Sequence, residues 1–217
     1  NLLPNNKAWA TKIPYKNKKK ELETFTNCTA IENGWVWNIP MWTRIGTGYV
    51  YSDKFVDDET ALQQFKKHLG KKAPKNKSDY KNIKMRVGIH KRLWVKNVVA
   101  IGLSAGFIEP LESTGLALAM EGAYQFVNLT ESGYIKQSTR LLYNSIMTSF
   151  FEESIDFVAM HYLVSNRKEK FWQEARRLKK PVQMNYYNKK LKDTLNYKNS
   201  KYNFFGGNNW VTWLKQI

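Results

Sequence analysis

The sequence predicts an α+β fold in which an antiparallel sheet comes first and helices follow. Up to about residue 97, apolar and polar residues alternate in short runs separated by turn residues, which is typical of half-buried strands. After residue 114, apolar residues recur at helical spacing over longer stretches. A glycine-containing segment, residues 102–115, lies between these two patterns and joins a short apolar run to the first of the long helices.

Composition places the chain among globular proteins. Its 217 residues, 42% hydrophobic and 14% aromatic, are enough for a core and exclude a disordered chain. No apolar run approaches the roughly 20 residues of a membrane span, so we expect no membrane partner. The single cysteine, Cys28, excludes a disulfide framework and predicts a cytoplasmic location.

The chain is strongly basic, with a formal net charge of +17 from 35 Lys and Arg against 18 Asp and Glu. Such an excess suggests an acidic partner, for which nucleic acid is the obvious candidate. The lysines are spread along the chain and outnumber the arginines, whereas sites that read bases or clamp phosphates favour arginine. We therefore interpret the charge as a solvated surface and keep a nucleic-acid-binding domain as the lowest-ranked alternative.

The secondary structure can be predicted element by element. A hairpin turn is expected at Asn33–Gly34, within a series of strands over residues 7–15, 24–32, 35–39, 43–52 and 83–89. A helix begins at a cap on Asp57 or Asp58 and ends at Gly70. Further helices are expected over residues 116–126, 134–163 (as one helix or two) and 171–178.

The segment 102–115 reads G-L-S-A-G-F-I-E-P-L-E-S-T-G and predicts a ligand site. The apolar run 98–101 before it predicts a buried strand, and Ser113 or Thr114 is placed to cap the helix after it. A helix N-terminus at a turn suits an anion or a polar cofactor, because the first N–H groups of a helix are unpaired. Glu112 lies directly before the helix, where its carboxylate either caps those groups or points outward to a substrate; the pattern leaves both open.

A second segment, residues 35–40, reads W-V-W-N-I-P. Trp35 and Trp37 are two positions apart in a predicted strand, so they share a face and are expected to pack the sheet on a core. His161, the only histidine on an apolar helix face, is predicted to be a hydrogen-bonded core residue rather than a base or ligand. The spacing of His, Cys and acidic residues predicts no metal site.

The W-x-W-x-I-P segment followed by G-F-I-E-P-L-E-S-T-G resembles the flavin-dependent halogenases of the tryptophan halogenase family. The resemblance implies an oxidoreductase that uses reduced FAD, O2 and a chloride, bromide or iodide ion to halogenate an electron-rich aromatic such as an indole or phenol. It implies a route through a flavin C4a-hydroperoxide and hypohalous acid, with a separate flavin reductase as partner. A flavin-dependent aromatic monooxygenase is the first alternative, because the two groups share a fold and the hydroperoxide.

The resemblance also assigns residues. It places the halide at the backbone amides of Thr114 and Gly115, and it pairs Glu112 and Ser113 with the family's essential lysine. Glu109 is expected to be structural. The remaining matches are FAD contacts at Gly102, Leu103 and Leu116, a motif near the flavin at Trp35, Trp37, Ile39 and Pro40, and substrate contacts at Tyr186, Tyr187, Phe204 and Trp210.

The resemblance covers only the C-terminal half of a halogenase. No G-x-G-x-x-G follows a strand, and no lysine here stands in the motif of the essential lysine. We therefore expect a sheet-rich region that covers substrate and flavin (1–97), a flavin- and halide-facing strand, loop and helix (98–130) and a helical substrate region (131–217). The N-terminal half of the same enzyme is the implied partner, homo-oligomerisation is an open alternative, and the isolated chain is expected to be inactive.

Overall fold

The computed structural model describes residues 3–177. Within this range the chain forms two compact units. We call residues 4–86 with 166–175 the sheet unit, and Leu3, 87–165 and 176–177 the helical unit. The α+β class is confirmed, while the predicted three-part division stays a prediction.

The sheet unit is built on five antiparallel strands in the order β2-β3-β4-β1-β5. The strands are β1 (Lys7–Ile13), β2 (Asn27–Ile31), β3 (Gly34–Pro40), β4 (Ile45–Tyr51) and β5 (Lys81–Lys84). Three helices belong to the same unit: α1 (Lys18–Glu21), α2 (Asp58–Leu69) and α5 (Lys170–Ala175). The strands predicted before residue 53 therefore form a single sheet. Of the strand predicted over 83–89, only residues 83 and 84 belong to this sheet, and residues 88 and 89 form a strand in the other unit.

Helix α2 confirms the predicted boundaries and covers one face of the sheet. The Asp57 side chain caps its first turn by accepting a hydrogen bond from the Thr60 N–H, and Gly70 ends it at a φ of 57°. The core between helix and sheet consists of Trp9, Val36, Tyr49, Tyr51, Val56, Ala61, Leu62, Phe65 and Tyr80. Burial of these large apolar side chains is the main force that holds helix and sheet together.

The hairpin between β2 and β3 is confirmed, but its turn is displaced by one residue. Ile31 pairs with Gly34, so the turn consists of Glu32 and Asn33, and Gly34 is already part of β3. A Cβ atom at Gly34 would lie 1.9 Å from the carbonyl oxygen of Val50 on β4. The glycine is therefore required by the close approach of two strands rather than by the turn.

Trp35 and Trp37 share a face of β3, as predicted, and it is the face opposite to α2, since Val36 between them packs with α2. Their ring centroids are 6.2 Å apart and the rings are tilted by 59°. Trp35 is buried, and the Trp37 ring lies over the backbone of β4, where a Cβ atom at Gly48 would come within 2.2 Å of it.

The helical unit combines two two-stranded sheets, one of them a hairpin, with two long helices. Strands β6 (Gly88–Ile89) and β9 (Gly106–Phe107) pair antiparallel, as do β7 (Trp94–Val95) and β8 (Val98–Val99). The helices are α3 (Thr114–Thr130) and α4 (Gln137–Leu163). The pattern over 134–163 thus corresponds to one long helix, and the helix predicted over 116–126 extends further at both ends.

The prediction of a buried strand over 98–101 is wrong. Only Val98 and Val99 are in a strand, and the Val98 side chain is 65% exposed. A tight turn at Lys96 and Asn97 joins this strand to β7, and the strand pairs only with the two residues of β7. The Asn144 side chain on α4 fixes this hairpin by accepting from the N–H groups of Leu93 and Trp94 and donating to the Trp94 carbonyl.

None of the helices within residues 3–177 is long and apolar enough to cross a membrane.

Candidate functional site

The loop that leads into α3 contains an unusual pair of backbone conformations. Residues 111–113 form one short 3-10 turn in which Glu112 (φ 58°, ψ 21°) and Ser113 (φ 53°, ψ 25°) are both left-handed. Each such conformation costs a residue with a Cβ atom about 1–2 kcal/mol. Two in succession persist only where the surroundings hold them, and strained residues of this kind cluster at functional sites.

Thr114 anchors the loop from the start of α3. Its side chain is fully buried, and its hydroxyl group donates a hydrogen bond that is shared between the carbonyl oxygens of Glu109 (3.1 Å) and Leu111 (3.2 Å). The backbone N–H of Thr114 also donates to the Leu111 carbonyl. Thr114 therefore closes the loop on itself.

The prediction that Ser113 or Thr114 caps α3 through its side chain is wrong. Ser113 holds the N-cap position, but among the described residues its side chain makes no capping hydrogen bond. Side-chain capping requires an extended backbone at the N-cap, whereas Ser113 is left-handed. Its side chain remains exposed beside Glu112.

Helix α4 reaches both glutamates of the loop through two consecutive residues. The Tyr162 hydroxyl donates to Oε2 of Glu109, and both side chains are buried. Nε2 of His161 lies 3.4 Å from Oε1 of Glu112, and Nδ1 of the same ring lies 3.0 Å from the Phe157 carbonyl oxygen. His161 is thus hydrogen-bonded and largely buried, as predicted, and it also contacts the candidate catalytic carboxylate.

The hydrogen bond from His161 holds the pKa of Glu112 below its ordinary value. Partial burial of the carboxyl acts against this lowering, and electrostatic attraction to His161 adds to it. The Glu112 side chain keeps 46% of its surface exposed. The arrangement therefore presents an ionised, accessible carboxylate directly before the N-terminus of α3, where it can accept a proton.

The Gly102 turn provides an apolar surface next to α3. Gly102 has a φ of 64° and begins a 3-10 turn that is closed by hydrogen bonds between the Ser104 hydroxyl and the Ile101 backbone. A Cβ atom at Gly102 would be 3.5 Å from the Ala119 side chain, so turn and helix are in contact. Leu103 on the turn is 79% exposed and Leu116 on the helix is 73% exposed.

The remaining predicted site residues lie elsewhere. Trp35, Trp37, Ile39 and Pro40 belong to β3 in the sheet unit, with Trp35 buried and Ile39 exposed. Tyr186, Tyr187, Phe204 and Trp210 lie outside the described residues. Thr114 and Gly115 occupy the first turn of α3, directly after Glu112 and Ser113.

Pro40, at the end of the tryptophan motif, also lines a cavity of about 300 Å³ within the sheet unit. Basic and acidic side chains share its wall, and Lys72 donates to Glu21 across a 2.8 Å ion pair. The charges at this cavity therefore favour no single class of ligand. Among residues 3–177, no group of three or more His, Cys, Asp and Glu side chains is placed to hold a metal ion.

Sequence reasoning missed the contacts of His161 and Tyr162 with the loop. Tyr162 and Glu109 are 53 residues apart, and no periodicity links them. The available signal was the position of a histidine and a tyrosine on an otherwise apolar helix face. Buried polar side chains need hydrogen-bond partners, and in the folded chain Glu109 and Glu112 are these partners.

The solved structures that this chain resembles include halogenases. The flavin-dependent halogenase BrvH from Brevundimonas sp. BAL3 matches with a TM-score of 0.86 and 29% identity, over 99% of this chain and 43% of BrvH. The tryptophan 6-halogenase SttH from Streptomyces toxytricini matches with a TM-score of 0.85 and 30% identity, over 98% of this chain and 42% of SttH.

The sequence comparison agrees with the structural one. The family model for tryptophan halogenases matches residues 1–215. SttH is 35% identical over 175 residues, and the tryptophan 7-halogenase RebH of Lentzea aerocolonigenes is 35% identical over 181 residues. The chain belongs to the tryptophan halogenase family. It spans 33% of the length of each of these two curated relatives, so it matches a part of larger halogenases.

Proposed function

We propose that this chain supplies the halide-binding loop and the catalytic carboxylate of a flavin-dependent halogenase that acts on an electron-rich aromatic. The observation that carries the proposal is the ionised, half-exposed Glu112 carboxylate, held in a strained loop directly before the N-terminus of α3. Relatives named as tryptophan halogenases support an indole or a similar ring as the substrate.

The backbone amides of Thr114 and Gly115 are the proposed halide ligands. They lie at the positive end of the α3 dipole, which favours an anion. The N–H of Thr114 already donates to the Leu111 carbonyl, so a halide would share this N–H with the carbonyl. The N–H of Gly115 lies in the first turn of the helix, where N–H groups have no intrahelical acceptor. The fully buried Thr114 side chain keeps both amides in place.

Gly102, Leu103 and Leu116 are the proposed FAD contacts, and their placement fits a flat, largely apolar ring. One mostly exposed leucine lies on the glycine turn and the other on α3, and the turn contacts α3. When bound, reduced FAD would activate O2, and O2 is the oxidant that would convert halide to electrophilic halogen. The tryptophan motif of β3 is proposed to lie near the flavin in the complete enzyme.

Glu112 is the proposed proton acceptor. When an aromatic carbon has taken up electrophilic halogen, it must lose its proton to restore the aromatic ring, and an ionised carboxylate within reach accepts that proton. Ser113 exposes its hydroxyl next to Glu112, where it is placed to hydrogen-bond the family's essential lysine. Glu109 is buried against Tyr162 and acts structurally.

A polypeptide that corresponds to the N-terminal half of a halogenase is the proposed partner, and helix α3 supports it. The side chains of Leu116, Met120, Tyr124 and Val127 are each at least 60% exposed and form one stripe along the helix. The helix carries a single charged residue, Glu121, in a chain with 24% charged residues. An unpartnered apolar stripe of this length is typical of a buried interface. A separate flavin reductase and a cytoplasmic location complete the proposal.

The experiment supplies reduced FAD, chloride, O2 and an indole to the full-length polypeptide that contains this chain, and separately to residues 1–217 alone. We expect the full-length enzyme to produce chlorinated indole and the isolated chain to produce none. Glu112→Gln should lower kcat by about 100-fold or more, the usual contribution of a general base. The exposed Glu131→Gln is the matched control and should retain full activity. A hydroxylated product independent of chloride would support the monooxygenase instead.

A further inference from the structure

We propose that His161 is a positioning residue for Glu112: its imidazole holds one carboxylate oxygen, so that the other oxygen stays available to the substrate. The contact itself is a property of the folded chain. Its meaning for catalysis rests on the function proposed above for Glu112.

The backbone of α4 fixes the imidazole ring of His161. Nδ1 lies 3.0 Å from the Phe157 carbonyl oxygen, one helical turn earlier. Because a carbonyl oxygen only accepts, Nδ1 must carry the proton of this hydrogen bond. The ring also packs edge to face against the Phe157 ring, with centroids 5.4 Å apart and an interplanar angle of 82°. These two contacts determine both the tautomer and the orientation of the ring.

Fixing Nδ1 determines what Nε2 can do toward Glu112. The neutral ring with a proton on Nδ1 has a lone pair on Nε2, and a bare carboxylate oxygen 3.4 Å away would repel it. The contact is attractive only when one proton lies between Nε2 and Oε1. Because the Glu112 carboxyl is ionised, the ring supplies this proton as an imidazolium, with Nε2 donating to Oε1.

Glu109 and Thr114, which lie in the same loop, make their hydrogen bonds to groups other than Glu112. Glu109, three residues earlier, is directed to the Tyr162 hydroxyl, and Thr114 is directed to two backbone carbonyls. His161 is the residue whose hydrogen bond and electrostatic attraction lower the pKa of the Glu112 carboxyl. Two consecutive residues of α4 therefore hold two carboxylates of one loop in separate directions.

Without His161, Glu112 would be a half-exposed side chain on a strained backbone, and its carboxylate would sample several rotamers. Misplacement of a catalytic group by about 1 Å can reduce the rate by roughly 100-fold. We expect His161→Phe, which keeps a flat ring but removes both nitrogens, to lower kcat by about 10- to 100-fold. His161→Gln can place an amide N–H where Nε2 lies and should restore part of the loss.

Two measurements on the chain itself, by NMR, do not depend on activity. In the unmodified protein, ring ¹⁵N shifts should show a proton on Nε2 of His161 while the Glu112 carboxyl is ionised; an Nε2 without a proton beside the ionised carboxylate would overturn the proposal. In glutamate-labelled protein, the titration midpoint of the Glu112 carboxyl should rise in His161→Phe and lie between the two in His161→Gln. The exposed His90→Gln is the control and should leave this midpoint unchanged.

The third measurement uses the full-length halogenating enzyme. We expect His161→Phe to lower kcat, to move the acid limb of the pH profile of kcat upward, and to leave KM for chloride unchanged. An unchanged Glu112 midpoint, or an unchanged kcat in an active enzyme, would refute the positioning role. If the unmodified enzyme produces no halogenated product, the proposed function fails, while the two NMR measurements still decide whether His161 holds Glu112.

Discussion

The Tyr162 hydroxyl of α4 donates a hydrogen bond to the Glu109 carboxylate, and both side chains are almost completely buried. This bond ties the loop before α3 to the last turn of α4. It thereby supports the strained residues Glu112 and Ser113 without taking part in their chemistry.

Removing this hydroxyl tests the support. Tyr162→Phe should lower the free energy of unfolding by about 1–3 kcal/mol, because the buried carboxylate loses a donor. Urea denaturation of the chain measures this directly. Tyr134→Phe removes a hydroxyl from a residue that is 76% exposed and should change the free energy by less than about 0.5 kcal/mol. Equal effects of the two substitutions would show that the Glu109 bond contributes nothing.

The Thr114 hydroxyl should be required for the shape of the loop. Thr114→Val preserves the volume of the side chain but removes both hydrogen bonds to the loop carbonyls. We expect a loss of about 1–2 kcal/mol in the free energy of unfolding and weaker halide binding by the full-length enzyme. Thr114→Ser keeps the hydroxyl and should retain halide affinity; if the valine and serine variants bind halide equally well, the hydroxyl does not shape the site.

Two glycines of β4 provide a matched pair of substitutions. Gly48→Ala places a methyl group 2.2 Å from the Trp37 ring, whereas Gly46→Ala places one 3.5 Å from the sulfur of Met41. Overpacking typically costs about 1–3 kcal/mol, so Gly48→Ala should lower the melting temperature clearly more than Gly46→Ala does. Indistinguishable melting temperatures would contradict the close packing of Trp37 on the strand.

The stability of the sheet unit should depend on pH through Asp58. The hydrogen bond from Lys7 holds the pKa of Asp58 below its ordinary value; partial burial opposes this, and the Tyr51 hydroxyl also lowers it. A carboxyl with a lowered pKa in the folded state contributes stability above its unfolded pKa and loses it as the pH falls through the folded pKa. We therefore expect denaturation midpoints to decrease on acidification below about pH 4.

Asp58→Asn should flatten this acid dependence in denaturant titrations over a pH series. Asp79→Asn is the control, because Asp79 is exposed and lies outside the Lys7 network. If Asp58→Asn and the unmodified chain lose stability in parallel below pH 4, the ion pair with Lys7 does not stabilise the fold.

Local signals explain which parts of the fold were predictable. The boundaries of α2 follow from Asp57 and Gly70, whose effects act within one turn of helix. The strand over 98–101 was predicted wrongly, because an apolar run indicates burial only when the fold supplies neighbouring strands, and here the neighbour is a two-residue strand. The sequence did not indicate the left-handed backbone of Glu112 and Ser113, because residues other than glycine rarely adopt it.

The candidate site was predictable in position but not in mechanism. The residues of the loop were named from the sequence, and the structure places Glu112, Ser113, Thr114 and Gly115 together at the start of α3. The role of His161 depends on which side of α4 faces the loop. That orientation is a property of the packed structure.

The most direct test of the central claim is the mass of the product formed by the full-length polypeptide containing this chain. The enzyme receives reduced FAD, O2, an indole and either chloride or bromide. We expect a product whose isotope pattern changes from chlorine to bromine with the halide supplied and whose yield falls by about 100-fold or more in Glu112→Gln. A product that carries oxygen and no halogen, at a yield independent of the halide, would contradict the proposed function.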